Sequence, residues 1–405
     1  MKIGVNHKPG RIAIVHDWLD TWRGGENVLA EVLQLAPDAD LFALVDFLPD
    51  ELRQRIGGRH ATTSFLQRIP GARHHFRKLL PLFPRAIASL DVSRYDTVIS
   101  VSHAVAKGVR IRAGQRHYCY CLTPMRYAWD MRDSYFPRNT AATWLRPLAN
   151  PLLDRLREWD RRASAGVTEF AAISQFIAAR IARHYGRPAQ VIYPPVDTGF
   201  FQPGDVPPSR DFYFTASRWV PYKRIDAIVA AFAELPSHRL VVAGDGPDAS
   251  RVRAAAGANV EFTGELARTE LRERMRDARA FLFAAEEDFG IVPLEAQACG
   301  TPVIAYARGG ALETIVERAY TPKANASDAN ALPVEELRLR QATGAFFHEQ
   351  TASAIAAAVR AFEAGPAIDA AACRRNAERF SRQQFHRAFS DFAELNAAVN
   401  TSAPA

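Results

Sequence analysis

The sequence predicts an α/β fold made of two open, mostly parallel sheets that follow one another along the chain. Two observations predict it. Short apolar runs of strand length alternate with longer amphipathic stretches over most of the sequence, the pattern of sheets covered by helices on both faces. The alternation pauses at a proline-rich segment, IYPPVDTGFFQPGDVPPSRDF (Ile192 to Phe212), and then restarts. With 405 residues, 48% of them hydrophobic and 23% charged, the chain can bury two or three cores.

The first domain is expected over residues 1–195. It opens with a strand, Ile12 to His16, and a loop that carries Gly24 and Gly25. A helix follows, since Val28, Leu29, Val32 and Leu33 recur at helical spacing. Further strands are expected at Asp40–Val45, Asp96–Ser102, Arg116–Leu122 and Glu169–Ser174. Cys119 and Cys121 alternate within one of these runs, which puts them on one face of a strand. The four cysteines have neither disulfide nor zinc spacing, so a reducing compartment is expected.

A stiff linker is expected over 196–210 and a second domain over 211–380, with strands in FYFTAS, LVVAG, VEFTG, AFLFAA and PVIAY. TPKANASDANALP (Thr321 to Pro333) has the composition of a surface insertion. The tail carries an apolar helical stripe through Phe385, Phe389, Phe392 and Leu395, so a helix over 381–400 is expected to pack back on the first domain. The last residues, NTSAPA, are expected to fray.

A net charge of +7 and a pI near 9.4 favour anionic partners such as phosphate ligands, anionic lipid or nucleic acid. No apolar run of about 18 residues is present to form a membrane-spanning helix. RIAIVHDWL is too short and strand-like for a leader, so a cytoplasmic location is expected.

The chemistry concentrates in AAEEDFGIVPLEAQACGTPVIA (Ala284 to Ala305). It is a strand, a loop and a helix, with Pro293 in the first turn, where its missing N–H costs little, and Gly300 at the end. In an open α/β sheet, ligands sit beyond the carboxyl ends of the strands. First-turn amides there suit a phosphate. Glu287 in the loop and Glu295 about one turn into the helix can accept paired sugar hydroxyls, while Glu286 and Asp288 complement the helix N-terminus. Arg218 and Lys223, just past the strand FYFTAS, emerge at the same sheet edge, and a guanidinium and an ammonium together can neutralise a diphosphate. Gly244 and Gly246 follow another strand; Gly24 and Gly25 let backbone approach a phosphate in the first domain.

Together SRWVPYKRID, VVAGDGP, VEFTG and EEDFGIVPLEAQACGTPVIAYARGGALETI resemble the retaining glycosyltransferases of family 4, which have the GT-B fold of two Rossmann-like domains facing across a cleft. The likeness covers nearly the whole chain and is most specific between Phe212 and Ile315. DTVISVSHAVAKGVR and CYCLTPMRYAWD are similar to bacterial mannosyltransferases of O-antigen and exopolysaccharide synthesis. The resemblance implies a hexosyltransferase with a sugar-nucleotide donor, GDP-mannose before a UDP-hexose, and neither cofactor nor metal. It assigns the diphosphate to Arg218 and Lys223, the ribose to Glu295 and the donor sugar to Glu287. It adds the amides of Phe289, Gly290 and Ile291, and His103 near the donor sugar, with Lys107 as a further charge. The implied acceptor is a polyprenyl-diphosphate-linked glycan at the inner face of the plasma membrane.

Leu66 to Asp91 mixes Arg68, Arg73, Arg77, Lys78 and Arg85 with Phe76, Leu79, Leu80, Leu82 and Phe83, a composition that suits anionic lipid. Arg126, Tyr127, Trp129 and Asp130 are candidates for an acceptor pocket, or else an aromatic core cluster. Two rival functions stand beside transfer. A GT-B sugar-nucleotide epimerase would act on donor alone. A nucleic-acid binder would line its basic residues into a stripe with aromatics between them, whereas here they gather at strand ends, so no nucleic acid is expected.

Overall fold

The computed structural model describes residues 10–130, 146–318 and 341–395. The predicted insertion at Thr321 to Pro333 and the terminal NTSAPA lie outside them. The chain divides into two units, Met1–Pro194 with Gln383–Ala405, and Pro195–Arg382.

The first unit is a parallel sheet of β1 (Ile12–His16), β2 (Asp40–Ala43), β3 (Thr62–Thr63), β4 (Thr97–Ser102), β5 (Arg116–Cys121), β6 (Glu169–Ala172) and β7 (Gln190–Val191). Its strand order is β3-β2-β1-β4-β5-β6-β7. Ala13, Ile14 and Val15 of β1 are all fully buried, which is why this central strand reads as a continuous apolar run rather than an alternating one. Helices α1 (Gly24–Leu35), α2 (Arg146–Ser164) and α3 (Gln175–Tyr185) belong to this unit. Ser174 caps α3 by accepting from the Ile177 N–H, and Gly186 ends it in the left-handed conformation. The C-terminal helix (Arg382–Phe392) presents its apolar stripe to β5. Phe385 and Phe389 each meet the Tyr120 ring edge-on at 5.7 Å between centroids, and Phe392 meets Tyr118 at 5.3 Å.

The second unit is a parallel sheet of β8 (Phe212–Ala216), β9 (Arg239–Ala243), β10 (Val260–Gly264), β11 (Phe281–Phe283), β12 (Val303–Tyr306) and β13 (Gly344–Phe347), in the order β10-β9-β8-β11-β12-β13. Helix α4 (Ile225–Ala231) follows β8 and α5 (Ile291–Ala298) follows β11. Ile225, Ile228, Val229 and Phe232 are buried in the core, as their spacing predicts.

The segment expected as a linker is different. The Val196 N–H donates to the Phe380 carbonyl at 2.8 Å, and Arg374 donates to the carbonyls of Thr198 and Phe201 at 2.8 Å. Phe201 lies in the core of the second unit. Prolines and glycines made the stretch read as loop, but two adjacent phenylalanines supply enough apolar surface to anchor its first half. Only Gln202 to Ser209 is exposed throughout.

Each sheet has one point where its strand order reverses. In the first unit β1 leads to β2 on one side while β4 lies on the other; in the second, β8 leads to β9 and β11 lies opposite. Loops that leave neighbouring parallel strands in opposite directions open a crevice at the carboxyl ends. Among the described residues no helix is long and apolar enough to cross a membrane.

Candidate functional site

At the β8/β11 switch point the second unit assembles most of the residues expected to act. β8 runs into Ser217, Arg218 and Trp219, and then a tight turn, Pro221–Lys223. Arg224 closes that turn in the left-handed conformation (φ 52°), unusual for a side-chain-bearing residue, and starts α4. β11 runs into the Glu287 loop, and Gly290, at φ 88°, starts α5. Lys223 Nζ is bonded to Glu287 Oε1, which joins the two loops across the crevice. Arg218, two residues past β8, is exposed.

Glycines hold this arrangement from both sides. A Cβ on Gly244 would overlap the Ser217 carbonyl, and one on Gly246 would overlap the Trp219 backbone. The Trp219 N–H donates to the Asp245 carbonyl at 2.9 Å, so the β9 loop is clamped onto the turn that carries Arg218 and Lys223. Trp219 itself is fully buried beneath it. Gly309 and Gly310, after β12, do the same for Glu287. A Cβ on Gly309 would overlap the Glu287 carbonyl, and one on Gly310 would overlap the Phe289 backbone. The Gly310 N–H donates to the Glu287 carbonyl at 2.8 Å. Sequence reasoning passed over this pair; its signal was a glycine doublet three residues past the end of a strand.

Phe289 is buried and packs edge-on against Phe380 at 5.7 Å, so any contact it makes to a ligand is through its backbone. Ile291 is the first residue of α5. Glu295 is half-buried one turn into that helix. Desolvation pushes its carboxyl up to about 7, with Arg268 opposing the shift and Asp197 adding to it.

The first unit has its own cluster at the β1/β4 switch point, and its central member was not anticipated. Asp17, directly after β1, is fully buried. Its carboxylate accepts the backbone N–H groups of His103, Ala104, Val105 and Ala106 at 2.5–3.0 Å. It also lies 3.0 Å from His103 Nδ1. Burial alone would raise the Asp17 pKa, but the charge and hydrogen bonds of His103 and the charge of His16 hold it well below the ordinary carboxylate range. Next to it, buried His16 donates its Nδ1–H to the Val101 carbonyl at 3.0 Å, and its Nε2 lies 3.6 Å from Glu26. Burial opposes charge on His16, but the Glu26 carboxylate outweighs it and raises the imidazole pKa. Gly24 and Gly25 form the first turn of α1, where Glu26 accepts from the Arg23 N–H at 2.8 Å.

Other expected members are committed elsewhere. Lys107 does not add charge to a site: its ammonium is fully buried, 2.5 Å from Asp160, and donates to the Ala104 carbonyl at 2.8 Å. Trp129 donates its indole N–H to the same Asp160 at 2.8 Å and stacks on His184. Asp130 is bonded to Arg180 and lies 3.2 Å from His184. Burial would raise the Asp130 carboxyl, but these partners hold it at about 2. Arg126 and Tyr127 are half-buried, and Tyr127 packs against the core. Trp129 and Asp130 are thus tied to helices α2 and α3. In the basic-apolar segment Phe76 and Phe83 are core residues, packed against Trp18, and are not available to lipid; Arg68, Arg73, Arg77, Lys78 and Arg85 are exposed.

Among the described residues no group of three or more His, Cys, Asp or Glu side chains could hold a metal ion. An Asp-x-Asp pair, Asp38 and Asp40, sits at the start of β2, the opposite end of the strand from these loops, where Asp40 accepts from the Tyr95 hydroxyl at 2.6 Å. All four cysteines are buried and free.

Residues 199–380, which lie within the second unit, match the family described as glycosyl transferases group 1. Over 153 residues the chain is 38% identical to D-inositol 3-phosphate glycosyltransferase of Mycolicibacterium paratuberculosis, a match covering 32% of this chain and 34% of that relative. The Mycobacterium bovis protein of the same name is 35% identical over 153 residues, with 32% of each chain covered. The chain thus spans about a third of the length of these curated relatives. Its fold is similar to that of Anabaena HepE in complex with UDP, with a TM-score of 0.65 at 16% identity over 95% of this chain and 99% of that one. Sucrose-phosphate synthase from Thermosynechococcus elongatus gives a TM-score of 0.65 at 19% identity over 96% of this chain and 100% of that one. The architecture is the GT-B type, with two Rossmann-like units.

Proposed function

We propose that this chain is a retaining glycosyltransferase that moves a hexose from a sugar nucleotide to a glycan acceptor. The observation that carries the reading is the β8/β11 crevice, where a cationic turn and a carboxylate loop meet at the start of a helix. A nucleoside diphosphate-sugar has the matching polarity: anionic phosphates for Arg218, Lys223 and the α5 amides, hydroxyls for Glu287 and Glu295. Lys223 and Glu287 neutralise one another. A bound donor would give each its own partner, phosphate for the ammonium and sugar hydroxyls for the carboxylate.

The reaction follows from that placement. The bond between the anomeric carbon and the phosphate oxygen breaks, and the charge left on the diphosphate is met by Arg218 and Lys223. The acceptor hydroxyl attacks on the same face, and the departing phosphate oxygen takes its proton. Neither a covalent nucleophile nor a metal is invoked. The acceptor is proposed to be a polyprenyl-diphosphate-linked glycan of a cell-surface polysaccharide, reached at the cytoplasmic membrane surface, where the exposed arginines between Arg68 and Arg85 meet anionic headgroups.

GDP-mannose is the donor proposed first, on the likeness of the SHAVAKG and PMRYAWD stretches to mannosyltransferases. A UDP-hexose is the second reading, because the similarly folded HepE was solved with UDP. Thermal unfolding with GDP, UDP, GDP-mannose and UDP-glucose, without and then with magnesium, separates them, since a ligand of the folded state raises the melting temperature by mass action. A metal-independent rise with GDP but not UDP supports GDP-mannose. A rise with UDP alone replaces the donor, and no rise with any nucleotide refutes donor binding. Hydrolysis or isomerisation of donor alone, without an acceptor, would favour the epimerase.

A further inference from the structure

We infer that Asp17 is a positioning residue that fixes the tautomer and aim of His103. The inference rests on the proposed sugar transfer for its consequence, but not for its geometry. The Asp17 carboxylate is fully buried and ionised, so it can only accept hydrogen bonds. His103 Nδ1 lies 3.0 Å from it, and since a lone pair there would face the carboxylate's negative charge, the proton is favoured on Nδ1. In a neutral ring this leaves Nε2, on the far side, as an acceptor. No described residue bonds Nε2, and the side chain is 29% exposed, so that nitrogen is open to a ligand hydroxyl.

Three further features hold the ring in this state. The four consecutive backbone N–H groups on the same carboxylate fix the loop that carries His103, so ring and loop share one anchor. Trp18 meets the imidazole edge-on at 4.5 Å and 86°, packing against one side of the ring. Behind the loop, Lys107 donates to the Ala104 carbonyl and pairs with Asp160, tying the next turn to α2. A histidine that only filled space would not need a carboxylate directly behind it. This arrangement presents a hydrogen-bond acceptor of defined direction, which suits a hydroxyl of the transferred sugar or of the acceptor.

The test is nitrogen NMR of the nucleotide-free protein with 15N-labelled histidine. The His103 signals are assigned by their loss in His103→Gln. The expected wild-type spectrum has a protonated Nδ1 and, above the imidazole pKa, an unprotonated Nε2. A ring protonated on Nε2 alone, or an even mixture of tautomers, overturns the inference. In Asp17→Asn the tautomer bias should shrink, and unchanged His103 shifts would also overturn it. If that variant fails to fold, the wild-type spectrum decides alone. In transfer assays Asp17→Asn should lower kcat at least tenfold with the donor KM within twofold; a raised donor KM at unchanged kcat counts against positioning. Absence of transfer by the wild type would fall on the proposed function, while the spectrum would still report on Asp17.

Discussion

Between β1 and β4, four backbone N–H groups that could cradle an outside anion are taken by the chain's own Asp17. Between β8 and β11, at the equivalent point of the other sheet, the crevice holds Lys223 paired with Glu287. Both units present a reversal of strand order and both put charge there, but the first is satisfied internally and the second is held by a pair that a polar ligand can divide. The difference lies in burial. Asp17, Lys107 and Asp160 have side chains with no exposed surface, and removing one partner strands the other. Lys223 and Glu287 keep 16% and 20% of their side-chain surface, so a ligand can reach both from solvent. A fixed crevice suits aiming a side chain; an exchangeable one suits binding a ligand.

The largest test of this contrast is Lys107→Met. It leaves Asp160 buried without its cation and should destabilise the first unit by about 3–5 kcal/mol. Chemical denaturation should show that loss, while the nucleotide stabilisation proposed for the second unit stays. Loss of nucleotide response in a folded Lys107→Met protein would break the comparison. Next is Glu287→Ala, which should lower transfer by about 100-fold, the loss of hydrogen bonds to a charged group, with the melting temperature kept. Near-normal turnover would refute its role. Lys223→Ala and Arg218→Ala should each weaken nucleoside diphosphate binding by about tenfold, and less at high salt, as titration calorimetry can measure. Equal affinity for diphosphate and nucleoside would contradict the phosphate assignment.

The smallest effect concerns Glu295. Its folded pKa, about 7, is above the ordinary 4.5. Its contribution to stability is therefore fully present below pH 4.5 and is lost as pH rises through about 7. If its carboxylate accepts ribose hydroxyls, nucleotide affinity should run the other way and rise a few-fold from about pH 6 to 8. Glu295→Gln should flatten both trends, and a pH-independent affinity in the wild type would remove the ribose role.

The same contrast explains what could be read from the sequence. The second-unit site is spelled in short stretches: Arg218 and Lys223 in one turn, Glu287 and Glu295 on one loop and helix, Gly244 and Gly246 in one bend. The first-unit cluster is assembled from residues far apart, such as Asp17 with His103 and Lys107 with Asp160, and no local pattern marks either pair. Lys107 was misplaced for that reason, since a lysine beside a site histidine reads as a ligand until its distant carboxylate is known. Among the strands, the long central ones were legible from apolar runs. The pairs Thr62–Thr63 and Gln190–Val191, at the sheet edges, carry too little apolar signal, and GAFF at β13 is too short a run.

The C-terminal helix makes the first unit the last to be finished. His386 reaches back to Glu31 at 2.7 Å, and Phe385 and Phe389 cover Tyr120, so the first unit closes only when residues beyond Arg382 are available. During synthesis the second unit can complete its sheet while the first still has part of β5 exposed, the reverse of the usual order in which N-terminal domains fold first. A nascent chain arrested before Arg382 would therefore carry one half in finished form and an exposed aromatic surface on the other, the species on which a chaperone would act.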